Sequence, residues 1–228
     1  MNRPIPTRFN RVHPLILPCL LASWSLAGNA AEPAHRDVEF AVADGHSLKL
    51  DLYLPSGVED PPLIVWVHGG AWRAGSKERM PVAGLLDHGF AIASVDYRLS
   101  PVAKFPAQVH DIKAAIRFLR AQESREKFGY SAESITIAGA SAGGHLAALV
   151  GVTNGHAELE GVVGDHLEES SSVAAIVDFY GPTNFLTILA QSTPHGLGVR
   201  IPALQLLLRA QPEDVPELAT LASPVYQV

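Results

Sequence analysis

A serine lies between two glycines in the stretch IAGASAGGHLAAL, residues 137–149. Gly139, Ser141 and Gly143 have the G-x-S-x-G spacing of a nucleophile elbow. A serine hydroxyl at such a turn attacks a carbonyl carbon once a neighbouring base accepts its proton. The flanking positions must be small, because the strand before the serine and the helix after it approach closely. The spacing therefore predicts acyl-transfer chemistry with Ser141 as the nucleophile.

A second stretch, VHGGAW at residues 67–72, follows a run of buried apolar residues. A glycine pair at a strand end lets backbone N–H groups turn towards a bound carbonyl oxygen. Together with the N–H of Ala142, these groups would stabilise an oxyanion. The stretch alone also fits an ordinary tight turn, but its position upstream of the serine motif favours an oxyanion hole.

The segments around these two motifs have the residue patterns of strands and helices. Residues 37–43 and 47–54 alternate apolar and polar side chains across Asp44-Gly45, which predicts an antiparallel hairpin. Nearly continuous apolar runs predict strands buried on both faces, as in a parallel sheet. These runs are residues 62–67, 90–95, 134–139 and 172–180. Helical patterns separate them at 78–88, 106–122 and 142–151. The alternation predicts a single α/β domain over residues 32–228.

Residues 183–222 lack the strand pattern and predict short helices forming a cap-like insertion over the site. The last eight residues of the sequence are LASPVYQV, which end at Val228.

Several stretches carry a family resemblance: HGGAW, GASAGGH, residues 96–120 and residues 178–185. The chain resembles the α/β-hydrolases of the esterase/lipase group, in the HGG-x-W branch that includes acetyl-xylan and feruloyl esterases and arylformamidases. The resemblance implies a mostly parallel sheet with helices on both faces and Ser141 as nucleophile. It implies that backbone N–H groups of three residues form the oxyanion hole: Gly70, Ala71 and Ala142. It implies that five others support the loop and the elbow: His68, Gly69, Trp72, Gly139 and Gly143.

The acid and the histidine that should activate Ser141 follow later strands in the resembling family, in the order serine, acid, histidine. The sequence contains six predicted strands and then the helical segment. We therefore expect both partners beyond Val228, with the sheet cut short before its last two strands. Asp178 and His195 occur in the required order, but we favour a local capping role for Asp178 and a loop position for His195. For His145, one helical turn after the serine, we expect a structural role.

The first 31 residues have the pattern of a secretory signal peptide. A basic start, MNRPIPTRFNRVH, precedes the apolar stretch PLILPCLLASWSLAG and small residues at Ala30 and Ala31. A membrane anchor is the alternative, but the apolar stretch is short for a span and contains Pro18. The pattern predicts a periplasmic or secreted protein with no stable membrane span after cleavage. The single cysteine, Cys19, would leave with the signal.

Composition narrows the function classes further. The chain has 17 basic and 23 acidic residues, for a net charge of −6. A negative chain has no electrostatic footprint for nucleic acid. The scattered histidines, the lack of cysteine in residues 32–228 and the absence of a dinucleotide motif argue against a metal or another cofactor.

The sequence thus predicts a serine carboxylesterase that acts on short-chain or aryl esters through an acyl-enzyme. The expected partner is a small-molecule ester, and the resemblance adds an esterified polysaccharide. One alternative is an arylformamidase-type amide hydrolase. Another, of a different class, is a catalytically silent binding protein or a non-functional fragment that lacks the acid and the histidine.

Overall fold

Six strands form one sheet in the computed structural model, which describes residues 31–228. The strands are β1 (His35–Ala43), β2 (His46–Tyr53), β3 (Pro62–Val67), β4 (Ala91–Val95), β5 (Ser131–Ala140) and β6 (Ala175–Phe179). Their order across the sheet is β1-β2-β4-β3-β5-β6, and β4, β3, β5 and β6 are mutually parallel. This arrangement confirms the predicted α/β class and mostly parallel sheet. The predicted signal peptide, apart from Ala31, lies outside the described residues.

The predicted hairpin is confirmed. Strands β1 and β2 pair antiparallel, and Ala43 lies opposite His46. Asp44 and Gly45 between them both have positive φ, at 50° and 78°. A two-residue turn of this kind matches the twist of the strands that it joins.

Within residues 31–228, six α-helices and two 3-10 helices connect the strands and follow them. The α-helices are α1 (Ala107–Arg120), α2 (Gln122–Phe128), α3 (Ala142–Val152), α4 (Ala157–Glu160), α5 (Pro194–Leu208) and α6 (Pro216–Leu221). The 3-10 helices are Ala83–His88 and Pro224–Tyr226. Helices α5 and α6 lie within residues 183–222. Within residues 31–228, no helix combines the length and the apolar character needed to cross a membrane.

Two helix predictions need correction. The predicted helix 78–88 is only a 3-10 helix over Ala83–His88, since Pro81 disfavours helical geometry at the residue before it. The predicted helix 106–122 is divided at Ala121, whose ψ of 139° is extended. Its apolar stripe is nevertheless fully buried: Val109, Ile112, Ala115, Ile116 and Leu119.

The two faces of the sheet bury unequal cores. Alternate side chains of a strand point to opposite faces, and on β3 Val65 belongs to the large core formed with α1 and α3, whereas Trp66 belongs to a much smaller cluster. The smaller cluster is covered by the 3-10 helix Ala83–His88 and by Met80. Within the described residues, the α-helical layer therefore lies mainly on the face that bears α3.

The apolar run at residues 172–180 predicts a strand buried on both faces, and the structure confirms the strand but not the burial. In this segment, β6 pairs with β5 alone and lies at the edge of the described sheet. Ile176, Val177 and Phe179 are 37%, 40% and 43% exposed. An apolar run indicates a strand, whereas burial depends on which elements cover it.

Candidate active site

Ser141 lies at the turn between β5 and α3, with φ of 56° and ψ of −120°. Its N–H donates to the Phe179 carbonyl oxygen at 2.9 Å, which ties the turn to the end of β6. Ala142 is the first residue of α3, so its N–H has no acceptor within the helix. The turn thus combines a strained serine with a backbone donor at the positive end of a helix dipole.

Two glycines permit the close approach of strand and helix at this turn. A Cβ on Gly139 would lie 2.2 Å from the Gly143 carbonyl oxygen. A Cβ on Gly143 would lie 2.1 Å from the Val67 carbonyl oxygen on β3. Neither position can hold a side chain without moving backbone.

Residues 68–72, which are predicted to form or support the oxyanion hole and which we call the oxyanion loop, lie beside Ser141. Gly70, Ala71 and Trp72 all have positive φ, at 127°, 52° and 59°. The Gly70 carbonyl oxygen accepts from two backbone N–H groups of residues 73 and 74, each at 3.1 Å. The Trp72 carbonyl oxygen accepts from the Ser100 N–H at 2.8 Å. With these carbonyls engaged elsewhere, the loop can present N–H groups towards a bound oxygen.

His68 supports the oxyanion loop from inside the protein. Its ring is buried and stacks on Tyr97 with centroids 4.5 Å apart. The Tyr97 hydroxyl donates to the His68 carbonyl oxygen at 3.1 Å, and His68 Nδ1 donates to the Gly69 carbonyl oxygen at 2.8 Å. Burial lowers the pKa of His68, so the ring stays neutral and holds the loop.

His145 joins the oxyanion loop, α3 and the segment after α6. Its Nδ1 accepts from Trp72 Nε1 at 3.1 Å, and its Nε2 donates to the Ala222 carbonyl oxygen at 2.7 Å. The ring also stacks on Phe185 with centroids 4.6 Å apart. Complete burial lowers the pKa of His145 to about 4. Both ring nitrogens are engaged, so His145 has a structural role and no free nitrogen for Ser141.

Two pockets flank Ser141. The first pocket, of about 440 Å³, lies against Trp72, Ala142 and the N-terminal half of α5. The second pocket, of about 500 Å³, lies against Gly70 and residues 79–81. Ser141 and Tyr180 line both. The serine therefore lies where a substrate could extend in two directions.

Tyr180, which no motif in the sequence marks as functional, has an unusual backbone conformation at both pockets. Its side chain is 80% exposed and its φ is 49°. Eight residues other than glycine have positive φ in the described range, and four of them line the first pocket: Ala71, Trp72, Ser141 and Tyr180. Strained backbone of this kind concentrates at functional sites. Sequence alone offers no sign of it at Tyr180, because a tyrosine rarely adopts this conformation.

The other candidate partners of Ser141 lie elsewhere. Asp178 Oδ1 accepts from the Gly181 N–H at 2.7 Å, a local turn contact of the kind expected. His195 is the exposed second residue of α5. Within residues 31–228, neither side chain forms a hydrogen bond with the other or with the Ser141 hydroxyl. The same range contains no group of three histidine, cysteine or acidic side chains arranged to hold a metal ion.

Comparison with known proteins shows that this chain is similar to esterases. The BD-FAE family model matches residues 50–228. Esterase LipC of Mycobacterium tuberculosis is 38% identical over 125 residues, which are 53% of this chain and 30% of that protein. The probable carboxylic ester hydrolase LipM of the same organism is 30% identical over 172 residues, or 73% of this chain and 38% of that protein. The chain thus spans less than half the length of these curated relatives.

A solved structure shows the same fold. It is described as a truncated form of a carbohydrate esterase from gut microbiota, and it matches with a TM-score of 0.77 at 31% identity. The match covers 89% of this chain and 74% of that one.

Proposed function

The chain belongs to the BD-FAE family of the α/β-hydrolase esterases, and on that premise we propose that its site hydrolyses carboxylic esters by attack of the Ser141 hydroxyl. One observation carries the proposal. Ser141 has the strained conformation of a nucleophile elbow and lies between two pockets, beside the first N–H of α3.

In the proposed reaction, Ser141 Oγ bonds to the ester carbonyl carbon and its proton passes to a base. The carbonyl oxygen becomes an oxyanion that accepts hydrogen bonds from the N–H groups of Ala142, Gly70 and Ala71. The C–O bond then breaks, the alcohol leaves with the proton, and water hydrolyses the acyl-enzyme. The two pockets would hold the acyl and alcohol parts.

The proposal also concerns the group that accepts the proton of the Ser141 hydroxyl. His145 bonds to Trp72 and Ala222, and Asp178 bonds within its own turn. We therefore propose that the base which activates Ser141 is none of these side chains, and that Asp178 and His195 are dispensable for catalysis.

Hydrolysis of 4-nitrophenyl acetate and butyrate by the chain and its variants tests this function. Ser141→Ala should lower kcat/KM by about a thousandfold or more. Ser47→Ala, on the exposed hairpin, is the matched serine control and should leave kcat/KM unchanged. Activity that survives in Ser141→Ala would remove this serine from the mechanism. Loss of activity in folded Asp178→Asn or His195→Ala would overturn the assignment of the base.

A second candidate function is ester binding without turnover. It is favoured by the lack of a base in contact with Ser141 within the described residues. It predicts that the chain binds an ester in the two pockets while kcat/KM does not differ between the chain and Ser141→Ala.

The substrate class and the location extend the proposal. The carbohydrate esterase among the structural relatives supports acyl esters of a polysaccharide as substrates. The leader-like residues 1–31 support export. N-terminal sequencing of exported protein should begin near Ala31, and a sequence that begins at Met1 would contradict export by cleavage.

A further inference from the structure

Arg200 and Ser141 both line the first pocket. Arg200 lies on α5, and it is the one charged residue among the described residues that line this pocket. Its Nη1 donates to Ser192 Oγ at 2.9 Å, and that hydroxyl in turn donates to the Ile188 carbonyl oxygen at 2.5 Å. The bond to Ser192 fixes the arginine at the pocket wall.

The local shape of α5 makes room for this guanidinium. Gly196, one helical turn before Arg200, also lines the pocket. A Cβ on Gly196 would lie 2.5 Å from Arg200 Nη1, so the guanidinium occupies the space that a side chain would fill. The arginine therefore lies along the helix surface.

No counter-charge faces Arg200 within the described residues. None of the ion pairs in this range includes Arg200. A guanidinium has five N–H donors in a planar fork that matches a carboxylate, and one of its nitrogens is engaged by Ser192. The other lining residues are of mixed polarity: Trp72, Ile188 and Ala203 are apolar, whereas Ser141, Tyr180 and Gln191 are polar. A single cation without a counter-charge in the pocket lining favours a ligand with one anionic group.

We propose that Arg200 binds a carboxylate carried by the substrate, and thereby makes the site selective for esters of acidic compounds. This inference rests on the proposed ester-binding function of the pockets. The carboxylate could belong to the acyl part, as in a half-ester of a dicarboxylic acid, or to the alcohol part, as in an esterified hydroxy acid. Both would present the same group to Arg200.

Two pairs of probe esters distinguish a carboxylate on the acyl part from one on the alcohol part. For the acyl part, 4-nitrophenyl hydrogen glutarate is compared with 4-nitrophenyl 5-oxohexanoate, in which a methyl ketone replaces the carboxylate at nearly the same size. For the alcohol part, 4-acetoxybenzoate is compared with 4-acetoxyacetophenone. The ratio of kcat/KM for the charged and neutral members of a pair measures the selectivity.

Arg200→Gln should lower this ratio about tenfold or more in one of the two pairs, because a charge-assisted bidentate contact is lost. Arg200→Lys should retain part of the ratio, since the charge remains without the fork. Arg209→Gln is the matched control: it removes the same charge just after α5, from a residue that does not line the pocket. It should leave both ratios unchanged. Circular dichroism of the variants checks that α5 stays folded.

Two results would overturn the inference: equal ratios in the chain and Arg200→Gln, or an equal loss in Arg209→Gln. If the chain hydrolyses none of the probes, the proposed catalysis fails, and binding decides the role of Arg200 separately. Titration of benzoate against the tryptophan fluorescence of the full chain should then give a Kd that rises about tenfold in Arg200→Gln. No binding to the chain, or an unchanged Kd, would reject the carboxylate site.

Discussion

Strands β5 and β6 are parallel neighbours with apolar sequences, yet they differ in burial and in the segments to which they lead. Ile137 on β5 and Ile176 on β6 are register partners, and they are 0% and 37% exposed. Strand β5 leads into the tightly packed turn at Ser141, whereas β6 lies at the sheet edge and leads to the exposed Tyr180. The comparison teaches that β3, β5 and α3 pack closely around the elbow, whereas β6 packs against α3 and, within the described residues, leaves its outer edge uncovered.

The sharpest test of that difference concerns close packing at the elbow. Gly143→Ala should lower the free energy of unfolding by about 4 kcal/mol, or prevent folding, because the new Cβ meets backbone of β3. Gly198→Ala is the matched helical control on α5, where a Cβ meets nothing within 4 Å. It should raise the free energy of unfolding by about 0.5 kcal/mol. Urea unfolding measures both, and similar values would show that the elbow is not tightly packed.

Substitution of Ile137 and Ile176 tests the difference in burial between β5 and β6. Ile137→Ala should lower the free energy of unfolding by about 3 kcal/mol, since it leaves a cavity in a sealed core. Ile176→Ala should cost about 1 kcal/mol, because part of the side chain already faces solvent. Denaturant midpoints of the two variants give the difference. Equal costs would mean that β6 is covered in solution.

The burial of His145 on α3 makes the free energy of unfolding depend on pH. The unfolded histidine takes up a proton near pH 6.5, whereas folded His145 does so only near its pKa of about 4. Between these values the unfolded state binds more protons, so the free energy of unfolding falls as pH falls. From pH 6.5 to 5, the decrease from this group should reach about 2 kcal/mol.

Urea titrations across pH 4.5–7.5 check this dependence. His145→Gln should flatten the slope below pH 6.5, and the exposed-histidine control His195→Gln should keep it. An unchanged slope in His145→Gln would assign the pH dependence to another group, such as His68.

The smallest effect on stability is expected at the exposed edge. Val177→Lys on β6 should change the free energy of unfolding by less than about 0.5 kcal/mol. It should still reduce light scattering on heating, because a charge on an edge strand opposes pairing between copies. Val162→Lys, at an exposed loop valine, adds the same charge away from the edge. An equal reduction in both variants would attribute the effect to net charge.

Local patterns in the sequence predicted most of the elements. The apolar run of β3 and the Asp44-Gly45 turn specify their own structure, because the relevant contacts are between near neighbours. The exposure of β6 was not predictable in this way, since it depends on which elements cover a strand. The break at Ala121 also escaped prediction, because alanine favours helix and only its surroundings make it extended there.

The candidate site also contains residues that local sequence patterns predict and residues that they do not. The spacing around Ser141 encodes the elbow, and the structure brings Ser141, Ala142 and the oxyanion loop together. Arg200 and Tyr180 escaped prediction because their positions at the pockets depend on how residues 180–208 fold back over the sheet. The two partners of His145 were equally hidden, because neither is near it in sequence.

The bonds of His145 have a consequence for the order in which the chain assembles. Its two partners lie 73 and 77 residues away, in opposite directions along the chain. Contacts of such sequence separation carry a loop-closure cost that slows folding. During synthesis, the Nε2 proton of His145 has no Ala222 acceptor until that residue has left the ribosome. A nascent chain that ends before Ala222 would therefore carry Ser141 with His145 bonded to Trp72 alone.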